Sequence, residues 1–210
     1  MNRPYTLYGR PGSGSLAVQV ALEEIGTPYE RIWVGQQPAD VERFRELNPT
    51  GKVPALALPD GTLMFESAAI LIHLAIENPR ARLAPEPGTS RHALFLQWMV
   101  FLSANLYESI LRIYYSARFS SRGEADGDAV RQQGLADFDA HAALIARSLS
   151  PYVLGADYSI ADAYLYMLAS WHPDKAALHA RLPRLGAHSG LLIARPAVAK
   201  VEADHAAAAG

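Results

Sequence analysis

Apolar and polar positions change rhythm once along this chain, near residue 77. Before that point short apolar runs alternate with helical stripes. Tyr5–Tyr8 predicts a strand, Gly9–Gly14 a loop rich in Gly, Pro and Ser, and Val18, Ala21, Leu22 and Ile25 one face of a helix. Gly26 ends that helix as a left-handed cap. Tyr29–Val34 predicts a second strand and Asp40–Leu47 a short polar helix. Pro49 and Gly51 make a turn into Val53-Pro54, and the proline forces Val53 into extended geometry. Lacking an N–H, Pro54 leaves the backbone there presented outward, without a completed ladder. Asp60-Gly61 returns the chain into Thr62–Phe65, closing a hairpin over 54–65. Glu66-Ser67 then opens a third helix, Ala68–Ile76, so apolar that it reads as largely buried, with His73 a satisfied core histidine. The order βαβαββα is thioredoxin-like and complete by Glu77.

Beyond it the strand signal ends. Residues 78–90 carry three prolines and a glycine and read as a linker. Leu94, Trp98, Leu102 and Leu106 recur at helical spacing, widened by Phe95, Met99 and Phe101; Phe95, Trp98 and Trp171 read as core. Gly123–Gly127 interrupts the pattern before a second long helix with Leu135, Phe138, Ala142 and Ile145, running to Leu149. Ser159 and Asp162 have the spacing of a capping box, starting a buried helix through Trp171. The tail suggests one more helix. The expected architecture is α+β: a thioredoxin-like domain over 1–77, the linker 78–90, and an all-helical domain over 91–210.

Composition narrows the function classes. Half of the 210 residues are hydrophobic, which argues against disorder. A net charge of −2 gives no electrostatic case for nucleic acid or an anionic membrane. Gln97 interrupts the longest apolar run, so no membrane span is expected, and the start lacks the pattern of a signal peptide. Cysteine is absent, which removes disulfides, thiolate metal sites and a protein cysteine nucleophile. The seven histidines show no metal-ligand spacing. A cytoplasmic protein is the expectation.

Two stretches carry candidate chemistry. A peptide-binding edge at Val53-Pro54 lies in sequence just before Glu66-Ser67, two polar side chains at a helix N-terminus, which is a ready carboxylate site. Lys52 is either a second carboxylate ligand or a solvated turn residue. In the 9–17 loop, Gly12-x-Gly14-x-x-Ala17 fits a dinucleotide fingerprint, yet a hairpin follows where a further βαβ unit is required. The loop is otherwise a structural glycine turn, or a place where hydroxyls gather at a helix start. Ser13, Tyr8 and Ser15 are the hydroxyl candidates.

The 48–69 stretch resembles the glutathione-binding half of the glutathione transferase family. Leu154-Gly155, the Tyr158–Asp162 capping motif and Ala194-Arg195-Pro196-Ala197-Val198 resemble its helical half. In that family the residue before a cis-proline pairs its backbone with the tripeptide, and a Glu/Gln-Ser pair holds the γ-glutamyl end. The resemblance therefore implies glutathione as co-substrate, held by Lys52, Val53, Pro54, Glu66 and Ser67. It implies a small hydrophobic electrophile near Arg10, Asn105, Tyr107 and Leu111, and a homodimer. Gly14 occupies the position where bacterial beta-type members carry cysteine, which points to serine- or tyrosine-type activation. Conjugation is the expected reaction. Glutathione-dependent isomerisation, dehalogenation or peroxide reduction at the same site, and a non-catalytic regulatory role on the same fold, are the alternatives.

Overall fold

A computed structural model describes residues 3–209. Four strands form one sheet in the order β2-β1-β3-β4: β1 (Tyr5–Gly9), β2 (Tyr29–Trp33), β3 (Ala55–Ala57) and β4 (Leu63–Phe65). β1 runs parallel to β2 and antiparallel to β3, and β3 runs antiparallel to β4. The helices α1 (Ser15–Ile25), α2 (Pro38–Leu47) and α3 (Ser67–Glu77) complete the thioredoxin-like βαβαββα order. Leu7 and Leu56, paired across β1 and β3, are fully buried, as are Val18, Ala21 and Leu22 of α1 and Ile70, Leu71 and Leu74 of α3. Gly26 has φ +70 and its N–H returns to Leu22 and Glu23, the left-handed cap expected of it.

The hairpin is shorter than the apolar pattern predicts. Pro54 stands outside the ladder, and pairing begins only at Ala55. The turn spans Leu58 to Thr62, closed by Leu58 N–H to the Thr62 carbonyl (2.8 Å) and held by Thr62 N–H to Asp60 Oδ1 (2.8 Å). Helix α3 also departs from expectation. Only one face is buried; Ala69 and Ile76 are exposed and His73 is half-buried, so His73 is not a core histidine.

Two compact units divide the chain. The first runs to Pro87 and takes in everything from Ile193 onward; the second is Gly88–Leu192. The tail helix α10 (Pro196–Ala209) thus groups with the sheet rather than with the helical half. Its reason is chemical as much as apolar. Val198 and Val201 are buried, Arg195 makes a two-pronged pair with Glu24 (2.8 and 2.9 Å), and Lys200 pairs with Glu23.

The second unit is helical throughout: α4 (Ser90–Phe101), α5 (Glu108–Tyr114), α6 (Gly127–Ser148), α7 (Ile160–Ser170), α8 (Lys175–Arg181) and α9 (Pro183–Ile193, to Leu192). A π-helical turn, Leu102–Tyr107, joins α4 to α5 without a break. Such a turn winds wider than an α-helix, which explains why four-residue spacing keeps Leu102, Leu106 and Ile110 all buried. Upstream the buried positions are Phe95 and Met99; Leu94 is exposed and Trp98 only half-buried, so the core stripe sits one position away from the predicted one. Trp171 is half-buried too, its ring edge-on to Tyr107 at 5.5 Å. The continuous stretch Ser90–Tyr114 has 25 residues and, by length and composition alone, is apolar enough to cross a membrane, contrary to the reading that no run reaches that length. Here its apolar face is packed inside the second unit, α5 lying along α6. Gly134 permits that approach, because a Cβ there would meet Arg112 Cβ at 2.9 Å and the Ser109 carbonyl at 3.1 Å.

Helix α7 is built around one carboxylate. Asp162 is fully buried and accepts from Ser159 N–H (2.8 Å), Ser159 Oγ (3.1 Å) and Val153 N–H (2.7 Å), with His188 Nε2 at 3.0 Å. An ionised carboxylate only accepts, so His188 carries its proton on Nε2. Losing the serine removes one arm of this hub; losing the aspartate strands several buried donors. Ser159→Ala is therefore expected to lower unfolding free energy by about 0.5–2 kcal/mol and Asp162→Ala by about 3–5 kcal/mol. Denaturant unfolding of both variants checks this; equal losses would contradict the hub.

Candidate active site

Sheet register decides which chain segments meet. Ala55 lies opposite Tyr8 on one side and Phe65 on the other. Because both pairings are antiparallel, the residues leaving the sheet beside Ala55 run together. Gly9 and the loop to Gly14 leave from β1, Pro54 and Val53 precede β3, and Glu66 and Ser67 follow β4. Three segments that the sequence reading assigned to one site are thereby gathered at one edge of the first unit.

The middle segment is rigidly held. The Val53–Pro54 peptide is cis, Pro54 is buried and Val53 half-buried. Asn48 is fully buried and organises the preceding turn: its Nδ2 donates to the Lys52 carbonyl (2.8 Å), and its Oδ1 accepts from Thr50 N–H (3.2 Å) and Thr50 Oγ1 (3.0 Å). Gly51, at φ +65, donates to the Asn48 carbonyl (2.8 Å). Lys52 itself is exposed. Sequence reading gave Asn48 no role, although Asn-Pro is a turn-initiating pair that signals one.

Glu66 is one of two non-glycine residues with positive φ among the described residues, at +71. A residue held there costs on the order of 1–3 kcal/mol and persists where the surroundings over-determine it. Its carbonyl accepts the first helical bond, from Ile70 N–H (3.0 Å), while its side chain makes no cap bond. Ser67 is the first residue inside α3 and is buried, so the N-cap position falls on Glu66 and not on the serine.

The loop from β1 to α1 holds two of the three predicted hydroxyls together. Ser13 Oγ and Ser15 Oγ are 2.9 Å apart, and both reach the Arg10 carbonyl, at 2.8 and 3.1 Å. Their environments differ. Ser15 is fully buried, seated where a Cβ on Gly9 would come within 2.5 Å of its Oγ, whereas Ser13 is half-exposed. Tyr8 is also half-buried, but its ring packs on Phe44 of α2, 5.8 Å away. Arg10 donates through Nε to the Val34 carbonyl (3.2 Å). The remaining pocket candidates belong to the second unit. Asn105, in the π-helical turn, donates to the Phe101 carbonyl (3.2 Å); Tyr107 closes that turn between Tyr164 and Trp171; Leu111 lies half-buried on α5.

Helix α10 supplies a residue that sequence reading passed over. His205 is buried, and its Nδ1 accepts from the N–H of Gly12 (3.2 Å), at the tip of the same loop. Asp204 beside it accepts from Gln19 Nε2 (2.8 Å) and Arg31 (2.7 Å).

A family profile described as "Glutathione S-transferase, N-terminal domain" matches residues 15–76. A sphingomonad glutathione S-transferase complexed with glutathione is 31% identical with a TM-score of 0.77, covering 96% of this chain and 98% of that one. The chain belongs to the glutathione S-transferase family. A glutathione transferase homologue from Sulfitobacter, with bound glutathione, has a TM-score of 0.88 at 29% identity over 97% of this chain and 99% of that one. Among curated proteins, the glutathione S-transferase GstA of Escherichia coli O157:H7 is 29% identical over 79% of this chain and 81% of its own length. The family fold, a thioredoxin-like domain with a helical one, is the fold described above.

His205 gives this family member a specific pH dependence. Burial, reinforced by the Arg31 charge and opposed by Asp204, pushes its imidazole down to about 4 from an ordinary value near 6.5. Between those pH values the unfolded chain binds a proton that the folded one refuses, so stability rises with pH there. The contribution is complete above pH ~6.5 and is lost on acidification towards pH ~4, at about 1.4 kcal/mol per pH unit. Denaturant midpoints for the parent and His205→Asn between those limits should converge as pH falls; parallel curves would refute the assignment.

Proposed function

We propose that this protein is a glutathione transferase in the strict sense, an enzyme that binds glutathione at the gathered edge, holds its sulfur as thiolate and joins it to a small hydrophobic electrophile. The observation that carries the reading is the convergence, by register, of the cis-Pro54 turn, the start of α3 and the hydroxyl-bearing loop. Glutathione is an extended tripeptide with a carboxylate at each end and a thiol between. Val53 offers backbone to the middle, Ser67 and Glu66 the polar groups for the γ-glutamyl end, and exposed Lys52 a charge for the glycyl carboxylate.

Activation needs little. A free thiol has a pKa near ~8.5, and lowering it by about two units takes roughly 2.7 kcal/mol. One hydrogen bond to a charged acceptor supplies about 1.5–3 kcal/mol, and a helix N-terminus adds about 0.3–1 kcal/mol. Ser13 is the preferred donor. Ser13 Oγ and Ser15 Oγ share the Arg10 carbonyl, at 2.8 and 3.1 Å, so a ligand on the exposed side of Ser13 would draw its proton away from that carbonyl while Ser15 keeps the second bond. In the reaction the sulfur lone pair forms a C–S bond, the leaving group departs with the broken bond's electrons, and the thiol proton passes to solvent. The protein would act in the cytoplasm as a homodimer; a monomer by sedimentation that still turns over would exclude the dimer.

Calorimetry and thiolate absorbance separate the roles. Ser67→Ala should weaken glutathione binding by about 1–3 kcal/mol. Ser13→Ala should raise the bound thiol's pKa by about one to two units and leave affinity nearly intact at pH below the parent's value, while Ser15→Ala and Tyr8→Phe shift it less. A shift confined to Tyr8→Phe would transfer the role to tyrosine. Absence of glutathione binding and of chlorodinitrobenzene turnover would favour a non-catalytic role on this fold.

A further inference from the structure

We infer that His205 is a positioning residue for the thiol-activating loop, fixing the Gly12 amide so that the Ser13 hydroxyl is aimed at bound sulfur. This rests on the transferase reading above and goes beyond it, because it places part of the activating apparatus on the last helix of the chain.

The short bonds of the loop gather on the Ser13 hydroxyl, 2.8 Å from the Arg10 carbonyl and 2.9 Å from Ser15 Oγ, and neither of them reaches the tip at Gly12. Ser13 N–H reaches the Arg10 carbonyl at 3.3 Å, and Arg10 N–H reaches Ser13 Oγ at 3.4 Å, both long. Gly12 sits at φ +64, a conformation open to glycine, with its N–H turned inward to His205 Nδ1. The imidazole is itself fixed. Trp33 meets it edge-on at 5.0 Å, Arg31 lies over Trp33 at 4.5 Å, and Arg31 and Gln19 both bind Asp204 on the same turn of α10. A chain of contacts therefore runs from α1 and β2 through α10 to the loop tip, all inside the first unit.

An accepting Nδ1 places the proton on Nε2. That Nε2 is buried and has no hydrogen-bond partner. A buried donor left unpaired is destabilising, so histidine is a poor choice if the position served packing alone. The polar group that is used faces the loop. Arg31 from β2 and Asp204 from α10 are the charges beside the ring, and burial keeps it neutral, as the acceptor role requires.

The test compares the parent, His205→Ala and His205→Asn, whose amide oxygen can accept the Gly12 N–H. Glutathione binding is read by calorimetry, the bound thiol by absorbance against pH, and turnover with chlorodinitrobenzene. The expected result for His205→Ala is a bound-thiol pKa higher by about one unit and, at pH below the parent's value, a kcat about tenfold lower with affinity for glutathione unchanged, since both proteins then bind the neutral thiol. His205→Asn should recover most of both. A His205→Ala protein that melts earlier yet keeps the parent's thiol pKa and kcat overturns the inference and leaves the transferase reading intact. A parent that does not bind glutathione overturns both. Should His205→Ala fail to fold, hydrogen exchange at Gly12 in the parent decides: protection supports the inference, and exchange at the rate of an open loop defeats it.

Discussion

Everything at the candidate site depends on the register of β3. The strand is three residues long, pairs on both sides, and sets Ala55 between Tyr8 and Phe65. Successive side chains on a strand face opposite ways, so a slip of one residue would turn Leu56 out of the core and carry Val53 away from Ser67. The fully buried Leu7–Leu56 pair makes that slip expensive. Burial of two leucines thus decides, at a distance, that a proline turn, a helix start and a serine loop share one edge.

Much of the first unit was legible because its signals are local. Pro54, Asp60-Gly61 and Gly26 each constrain the backbone at their own position, and the alternation of strand and helix follows from them. The Ser159–Asp162 cap was legible for the same reason, three residues being its whole span. What failed were inferences that assume an undisturbed helix. The π-helical turn at Leu102–Tyr107 changes the winding, so the stripe begun at Leu94 and Trp98 was displaced onto Phe95 and Met99. Likewise the apolar composition of α3 concealed that only one face is packed, which left His73 half-exposed.

The site itself was legible in part. Two serines in a Gly-rich loop were visible as candidates, but not that Ser15 would be sealed beneath Gly9 while Ser13 stayed half-exposed. That distinction requires the third dimension. His205 was out of reach for a stronger reason: it lies 193 residues from Gly12, in an alanine-rich tail with no motif. The same tail brings Asp204 to Gln19 and Arg31, so the segment with the plainest sequence carries several long-range contacts of the first unit.

We propose that glutathione sits at the edge formed by Ser13, Val53 and Ser67. Amide chemical-shift mapping with S-methylglutathione, which keeps both carboxylates and lacks the thiol, tests it without any assumption about chemistry. Saturable shifts are expected at Ser13, Lys52, Val53 and Ser67, with Glu30 and Ile32 on the far strand unmoved. Saturable shifts confined to the helical unit, or none at any of these four amides, would contradict it.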